Sequence, residues 1–484
     1  MARYFHQALL LLVVATLGAC GGGGSSGTAA PQVATVAIAL TDGPTTDIDQ
    51  ALATITSIDL LGDDGQVNIF SGSETVDLLK LADYSELFAV RDDVPAGTYN
   101  KIRLQLSSLE LIRLDDNGDV AETVLTKLVA NGKIDINPQG PFQVAPGANL
   151  VVTIDFDVGK SLKITETGNG MVIVRPVVFA DISTANLPTP GLTRIHGTVS
   201  DIADDGSFRL CQNRLASSDE DDRADERFSG DRHCVRVRSD GDTGFFDEAG
   251  LPQELFDLAV GDEVTAIGRL VPLPDEGDND DEVGDDDSGD ERFGLNAFII
   301  EEGPLGTFDR LRGIVSLPVD PGTDRFELDL APGQGIVSDG PLAAQLYPKS
   351  RIFTPNGVEL GRLDIDAGSS ALLDSVLVVS SGSPDVLRTS LVILDVDAGS
   401  PEVVLTGPVV SVNSTTGQLI VAGPVGDRCV DGRGADVFLV DDDGASLDSE
   451  RGTLSDLVPG QDVNVFGREG PGGCLVADTI LADR

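Results

Sequence analysis

Three related segments in the C-terminal part of the chain constrain its fold more than any other feature. They open on Ile195–Ser200, Leu311–Ser316 and Leu405–Val410, and each opening is followed by a Gly turn with Asp or Thr and then by a short strand. Self-similarity at such intervals is typical of repeated structural units that each form one supersecondary element. The sequence therefore predicts three copies of one small β unit.

The middle part of the repeat separates the second unit from the other two. Leu258–Arg269 and Leu457–Arg468 share a glycine turn and a strand that ends in Gly-Arg, whereas the second unit keeps only the strand Ser375–Val379 and has lost the Gly-Asp turn and the Gly-Arg ending. Each unit is long enough for a small closed barrel of about five or six strands. We expect barrels over residues 193–304, 309–398 and 403–484, the second of them degenerate.

Residues 33–183 carry a different pattern. Val36, Ile38 and Leu40 alternate with small residues, and later strands are separated by turn signals such as Asn131-Gly132. Regular short strands with Gly and Asp turns predict a β-sandwich. A single helical turn is expected from Asp77 to Phe88, capping the sandwich. The expected fold class is thus all-β, an N-terminal β-sandwich followed by three small β-barrel repeats.

Several short phrases of this first segment stand out in order along the chain: Leu40–Pro44, Val94–Tyr99 followed by Ile102–Leu104, Asp155–Asp157 with Lys160-Ser161, Gly168–Gly170 and Arg175–Val177. Together they resemble a bacterial family, Domain of Unknown Function 4382. Gly43 is a departure, since the family more often has Ala there. The resemblance implies a fold and a surface location but no activity.

The three repeats resemble Domain of Unknown Function 5666, which implies a small OB-like barrel for each. OB folds often bind nucleic acid through a basic groove with stacking aromatic side chains. This chain has a formal net charge of −47, 5% aromatic residues and no Trp. Its charge would repel nucleic acid, so no nucleic-acid partner is expected.

The N-terminus has the pattern of an exported protein. Arg3 precedes an apolar run from Ala8 to Val14, which is too short to span a bilayer core that needs about 20 residues. Leu17–Cys20 resembles the lipobox of bacterial lipoproteins. The resemblance implies that residues 1–19 are a signal peptide and that Cys20 is lipidated and anchors the protein to a membrane, with residues 20–32 as a Gly-rich tether.

Gly21 stands where such lipoproteins carry Asp when they are retained at the inner membrane, so the resemblance favours the outer membrane, facing the periplasm or the cell surface. The alternative is a secreted protein without an anchor, in which Cys20 is coincidental.

The remaining cysteines divide evenly between two repeats. Cys211 and Cys234 lie in the first repeat, and Cys429 and Cys474 lie in the third. In an exported protein, we expect each pair to form a disulfide within its own unit. Metal ligation is the competing interpretation, but no Cys-x-x-Cys spacing supports it, and no metal site or cofactor is expected.

Two acidic insertions lie in the first repeat, at Asp219–Asp231 and Asp275–Glu291. Neither they nor Asp441–Gly444 match the spacing of a known calcium loop. Solvated loops are one interpretation, and weak calcium binding is the other.

Residues typical of catalytic sites are few. Outside the signal sequence the histidines are His196 and His233, and no nucleophile elbow, zinc motif or phosphate loop is present. We expect a non-catalytic envelope lipoprotein with a structural or interaction role and an unknown protein or glycan partner. The alternatives are a surface module that binds glycan or a divalent cation, and an exported hydrolase.

Overall fold

The structure is a computed structural model, and its regular structure is almost entirely β-strand, with no helix of seven or more residues among the described residues. The expected class, a sandwich followed by three small barrels, is confirmed. The described residues are 33–42, 48–63, 65–81, 84–115, 119–138, 140–158, 165–166, 172–174, 178–184, 191–212, 233–254, 257–273, 293–331, 334, 336, 338, 340–379, 384–395, 403–442, 447–470 and 472–484.

The sandwich consists of two facing sheets. Its strands are β1 (Val33–Asp42), β2 (Gln50–Gly62), β3 (Gly65–Asp77), β4 (Tyr84–Pro95), β5 (Gly97–Leu114), β6 (Val120–Leu128), β7 (Lys133–Asn137), β8 (Phe142–Val144), β9 (Asn149–Phe156), β10 (Thr165–Glu166), β11 (Val172–Val174) and β12 (Val178–Thr184).

One sheet has the order β12-β9-β1-β4, with β1 and β9 parallel. In the other sheet, the long strand β5 pairs with β2 along one edge and with β6, β7 and β8 along the opposite edge. Strand β3 pairs with β2, and the β10–β11 hairpin extends β6. The main hydrophobic core lies between the two sheets.

The helical turn expected from Asp77 to Phe88 is wrong over most of its length. Only Leu78–Leu81 form a 3-10 turn, and Tyr84–Pro95 form strand β4. Leu87 and Phe88 are both buried because the two faces of β4 meet different cores. Two adjacent apolar residues can thus belong to a strand that is covered on both sides, a pattern that is easily mistaken for part of a helix.

The three barrels follow in chain order. Barrel 1 contains β13 (Leu192–Ile202), β14 (Phe208–Gln212), β15 (His233–Arg238), β16 (Gly244–Phe246), β17 (Glu263–Pro272) and β18 (Phe293–Glu302). Barrel 2 contains β19 (Asp309–Asp320), β20 (Arg325–Leu330), β21 (Leu342–Phe353), β22 (Ser370–Val378) and β23 (Val386–Asp395). Barrel 3 contains β24 (Val403–Asn413), β25 (Gln418–Gly423), β26 (Gly426–Asp431), β27 (Asp436–Asp442), β28 (Leu447–Gly452), β29 (Asp462–Glu469) and β30 (Leu475–Asp483).

All three barrels close with the same connectivity. In barrel 2 the ring runs β19-β20-β21-β23-β22 and returns to β19. The rings β13-β14-β15-β18-β17 and β24-β25-β26-β30-β29 have the same order. In each ring the third strand pairs in parallel with the strand that comes last in the chain: β15 with β18, β21 with β23, and β26 with β30. Closure leaves no free edge within a ring, which is how small barrels satisfy their backbone hydrogen bonds.

The glycine of each repeat opening has a steric reason. Gly197, Gly313 and Gly407 occupy the first strand of their barrels, and a Cβ on any of them would overlap a carbonyl oxygen of the second strand. The glycines of the Gly-Arg endings, Gly268 and Gly467, face the last strand in the same way at a β-bulge. The repeated glycines therefore mark places where backbones approach closely.

The second repeat keeps a glycine turn that the sequence comparison missed. Gly261, Gly368 and Gly460 each donate their backbone N–H to a carbonyl of the first strand at 2.8 Å, and all three have positive φ. No Asp follows Gly368 within two residues, whereas Asp262 and Asp462 follow the other two glycines. Barrel 2 lacks the Asp but keeps the turn, so the expectation that it has lost this turn is wrong; the backbone conformation favours glycine whatever residue follows it.

Strand β1 is buried on both faces. Val36, Ile38 and Leu40 point into the sandwich core, whereas Ala37 and Ala39 contact the core of barrel 1. The alternation of large and small residues therefore reflects burial on both faces: the large side chains fill the sandwich core, and the alanines face barrel 1. The methyl side chains of β1 allow this strand to approach barrel 1 closely.

Both expected disulfides are present. Cys211 and Cys234 face each other across β14 and β15, the second and third strands of barrel 1. Cys429 lies on β26, and Cys474 immediately precedes β30, so this bond joins the third and last strands of barrel 3. The two disulfides therefore link different pairs of neighbouring strands in equivalent barrels.

Replacing either pair of cysteines by serine should lower stability. The loops span 23 and 45 residues, and the chain-entropy model gives losses of about 3 and about 4 kcal/mol, respectively. Chemical denaturation of the two double variants measures these losses. Addition of a reductant serves as the control: it should destabilise the native protein and leave a variant that lacks all four cysteines unchanged. A variant as stable as the native protein would contradict the prediction.

Candidate functional site

A parallel strand pairing joins the sandwich to barrel 1. The start of β13 pairs with the start of β4, with Leu192 opposite Tyr84 and Arg194 opposite Glu86. The hydroxyls of Ser85 and Thr193 lie 2.8 Å apart and are buried. The sheet thus continues from one unit into the next, and Tyr84 lies at the point where barrel 2 also makes contact.

Apolar side chains from all three units surround this point, which we name the central junction. They form one cluster that is separate from the cores of the sandwich and barrels. Because the cluster excludes water, polar groups inside it interact in a medium of low dielectric constant. Its buried members are Tyr84, Leu192, Phe246, Ile267, Ile299, Phe308, Phe353, Leu372, Leu391 and Ile393.

Asp374 of barrel 2 is the central charge of the junction. Its side chain is fully buried, and Oδ2 accepts a hydrogen bond from the Tyr84 hydroxyl at 3.1 Å. The Arg310 guanidinium lies 4.7 Å from the centre of the Tyr84 ring, and its Nε lies 3.9 Å from Asp374 Oδ1. Burial, and then the negative Asp374, raise the pKa of Tyr84 well above its ordinary value. Tyr84 therefore remains a hydrogen-bond donor at neutral pH.

Glu301 is the second buried carboxyl group. It lies on β18 of barrel 1, is 1% exposed, and its Oε1 is 2.5 Å from the hydroxyl of Ser390 in barrel 2. Burial, and then the nearby Asp374, raise the pKa of Glu301 to about 8, although Arg194 acts in the opposite direction. The two barrels thus share a buried polar contact beside the apolar cluster of the central junction.

The central junction is built to hold units in place. Asp374, Ser390 and Glu301 are buried beneath neighbouring strands, and each of the three units supplies part of the polar set. Buried ion pairs add little net stability over apolar packing, but their geometry penalises any other arrangement. The arrangement therefore fixes how barrel 2 sits against barrel 1 and the sandwich.

Removing the Asp374 carboxylate should be strongly destabilising. Asp374→Ala removes the carboxylate beside the buried Arg310 guanidinium, and breaking a buried ion pair in this way typically costs about 3–5 kcal/mol. Tyr84→Phe removes one hydrogen bond and should cost about 1 kcal/mol. Denaturant titration gives both values, and the exposed Asp427→Ala is the control, with an expected change within about 0.5 kcal/mol. A similarly small loss for Asp374→Ala would contradict the role of Asp374 as a buried negative charge that is needed for stability.

Barrel 3 contacts the sandwich at a second place, the lateral junction. Strand β28 pairs in parallel with β7, so the barrel extends the second sheet of the sandwich. Phe179 of the sandwich stacks on Phe438 with ring centres 3.7 Å apart, and Phe466 and Leu481 pack beside them. The Ser449 hydroxyl donates to the Val178 carbonyl at 3.1 Å.

Ion pairs border the lateral junction. Lys101 Nζ lies 3.0 Å from Asp448 Oδ2, and Arg451 lies 3.8 Å from Asp181. These side chains are about one-third exposed or more, so each pair contributes little stability by itself. A cleft of about 280 Å³ lies beside them between the two units. Its lining carries both signs of charge, with Lys101 and Arg484 near Asp441, Asp448 and Glu450.

Phe179→Ala should uncouple barrel 3 from the sandwich. The substitution removes the aromatic stack at the lateral junction. Phe179 is partly buried, so the loss should be smaller than the roughly 3–5 kcal/mol that is typical of a fully buried aromatic residue. Differential scanning calorimetry should then show barrel 3 melting in a transition of its own.

The matched control is Phe70→Ala. Phe70 contacts Phe88 inside the sandwich with ring centres 4.8 Å apart. This variant should lower stability without separating the transitions. Splitting of the transitions in both variants, or in neither, would show that the stack does not couple the two units.

Some of the site residues predicted from the sequence lie outside the part of the chain that the structure describes. Cys20, the acidic insertions Asp219–Asp231 and Asp275–Glu291, and the tether lie outside the described residues. In the described part of the chain, no three His, Cys, Asp or Glu side chains are grouped so that they could hold a metal ion. No helix within the same residues is long and apolar enough to cross a membrane.

His196 is a half-buried residue of the barrel wall. It lies on β13, with Nδ1 3.0 Å from the Thr265 hydroxyl. Burial, and then the positive Arg194, lower its pKa from the ordinary value. The imidazole is therefore neutral at neutral pH and serves as a hydrogen-bonding wall residue. His233 is on β15, in a different part of barrel 1.

The polar residues of the central junction were not anticipated from the sequence. A signal was present for the two carboxyl residues, because each follows apolar residues that are typical of a buried strand. Asp374 follows Leu372-Leu373, and Glu301 follows Ile299-Ile300. A charged residue in such a run indicates a buried charge that needs a partner. Its partner comes from another unit, which the linear pattern does not identify.

Comparison with known proteins bears on the sandwich. Residues 33–176 match a family model described as "Domain of unknown function (DUF4382)". The matched stretch coincides with most of the sandwich, so the resemblance seen in its sequence phrases is confirmed there. No curated protein and no solved structure matches the chain. The resemblance of the three barrels to Domain of Unknown Function 5666 stays a prediction.

Proposed function

We propose that the protein is a non-catalytic lipoprotein of the outer membrane, anchored through Cys20, whose β-rich body engages a protein or glycan partner of the cell envelope. Leu17–Cys20 and the glycine-rich segment behind it support the anchor. Two or three acyl chains on one cysteine provide a durable attachment, whereas a single chain holds a protein only marginally.

The observation that carries the proposal is the pairing of the other cysteines. The chain has five cysteines, and four of them form the two disulfides within barrels 1 and 3. Structural disulfides are typical of exported proteins because the cytosol keeps thiols reduced. Cys20 is thus the one cysteine left over, and it lies at the end of the signal-like segment.

The arrangement of the units supports an interaction role. Barrels 1 and 3 both contact the sandwich, at the central and lateral junctions, so the body is broader than a row of separate barrels. The acidic composition keeps such a body soluble and repels nucleic acid and anionic lipid headgroups. A partner with neutral or basic surface groups fits this charge.

Cys20→Ala should abolish lipidation. Cells that express the native protein in the presence of a labelled fatty acid should incorporate label into it, and the variant should incorporate none, because acylation needs the thiol. The control is the double variant Cys211→Ala, Cys234→Ala, which loses two cysteines but keeps Cys20 and should remain labelled. Label on the Cys20→Ala protein, or none on the native protein, would refute the anchor.

A further inference from the structure

The hydroxyl of Ser390 has more acceptors than protons. Its Oγ lies 2.5 Å from Oε1 of Glu301 and 3.1 Å from the backbone carbonyl of Asp374. A serine hydroxyl carries one proton and can donate to only one of these acceptors. Both contacts are hydrogen bonds only if the second proton comes from Glu301, whose carboxyl group then donates to Ser390 while Ser390 donates to the carbonyl.

The charges around Glu301 come from three units. Asp374 of barrel 2 disfavours a second negative charge, whereas Arg194 of barrel 1 and Arg310 of barrel 2 favour it. Tyr84 of the sandwich faces the same group of side chains, and its hydroxyl is engaged by Asp374. Glu86 on β4 adds a further negative charge near both arginines.

The other charged residues on strands beside Glu301 are engaged elsewhere. Arg269 donates to the Gly357 carbonyl, Arg351 pairs with Glu359, and Arg388 donates to the Ala249 carbonyl. Lys349 donates to the carbonyl of Gly241, and Glu263 is exposed. The state of Glu301 is therefore set by burial and by the charges of the central junction.

We propose that the proton on Glu301 locks barrel 1 to barrel 2, and that its loss weakens their docking. With the proton in place, Glu301, Ser390 and the Asp374 carbonyl form a continuous chain of hydrogen bonds across the interface. Without it, one buried acceptor loses its donor, and two carboxylates share one water-excluded cluster. The lock does not depend on lipidation of Cys20, so either proposal can fail alone.

The direction of the pH effect follows from linkage. The pKa of Glu301 is raised to about 8 in the folded protein from an ordinary value of 4.5, so the folded state holds this proton more tightly than the unfolded state. The contribution of Glu301 to stability is complete below about pH 4.5 and is lost progressively as the pH rises to about 8. His196 has a lowered pKa, so its titration lies well below that of Glu301.

The experiment compares the full-length native protein with Glu301→Gln between pH 5 and pH 9.5. Glutamine has the shape of the protonated acid and carries an NH₂ group that can donate to Ser390. Hydrogen exchange of amides in β18 and β23 should become faster in both proteins as the pH rises. The increase in the native protein should exceed the increase in the variant by about tenfold or more. Infrared spectra near neutral pH should show a protonated carboxyl band in the native protein and none at that position in Glu301→Gln.

Glu302→Gln is the matched control, since Glu302 is the next residue on β18, is bound by Gln253, and lies outside the central junction. It should keep the native pH profile and the infrared band. Identical pH dependence in the native protein and Glu301→Gln, or absence of the carboxyl band, would overturn the lock. If Glu301→Gln does not fold, the native infrared titration decides by itself: a band that disappears below pH 6 refutes the proposal, and one that persists to about pH 8 supports it.

Discussion

The parallel pairing between β4 and β13 is the contact on which the arrangement of this protein depends. It continues a sandwich sheet into barrel 1 and covers that sheet on its second face. The same contact brings Tyr84 to the place where barrel 2 arrives with Asp374. This short stretch of backbone pairing thus positions both the apolar interface between the sandwich and barrel 1 and the buried polar residues of the central junction.

The three barrels use one wall position for different purposes. Ile267, Asp374 and Phe466 each precede the bulge in the equivalent strands β17, β22 and β29. Ile267 and Asp374 both lie at the central junction, and Phe466 packs in the lateral junction. The closed ring leaves this position pointing away from the barrel core, so it can change between apolar and charged without altering the barrel. Repeated folds diversify their interfaces in this way because the ring supplies its own core.

Much of the fold could be predicted because its signals are local. Short alternating strands, glycine turns and repeated openings identify a sandwich and three barrels, and the even division of the cysteines predicts both disulfides. Strand β4 was missed because burial on both faces removes the alternation that marks an ordinary strand. The glycine turn of barrel 2 was missed because no Asp follows Gly368 within two residues, although Gly368 keeps the same backbone hydrogen bond.

The sequence by itself determined the class of each unit, since periodicity and turn chemistry act over a few residues and require no knowledge of distant parts. Tertiary structure alone decided which units touch and which groups become the partners of the buried charges. Tyr84 and Asp374 are 290 residues apart, and the pKa of Glu301 depends on groups from separate units. Burial and electrostatic coupling arise from proximity in space, and no local pattern in the chain encodes that proximity.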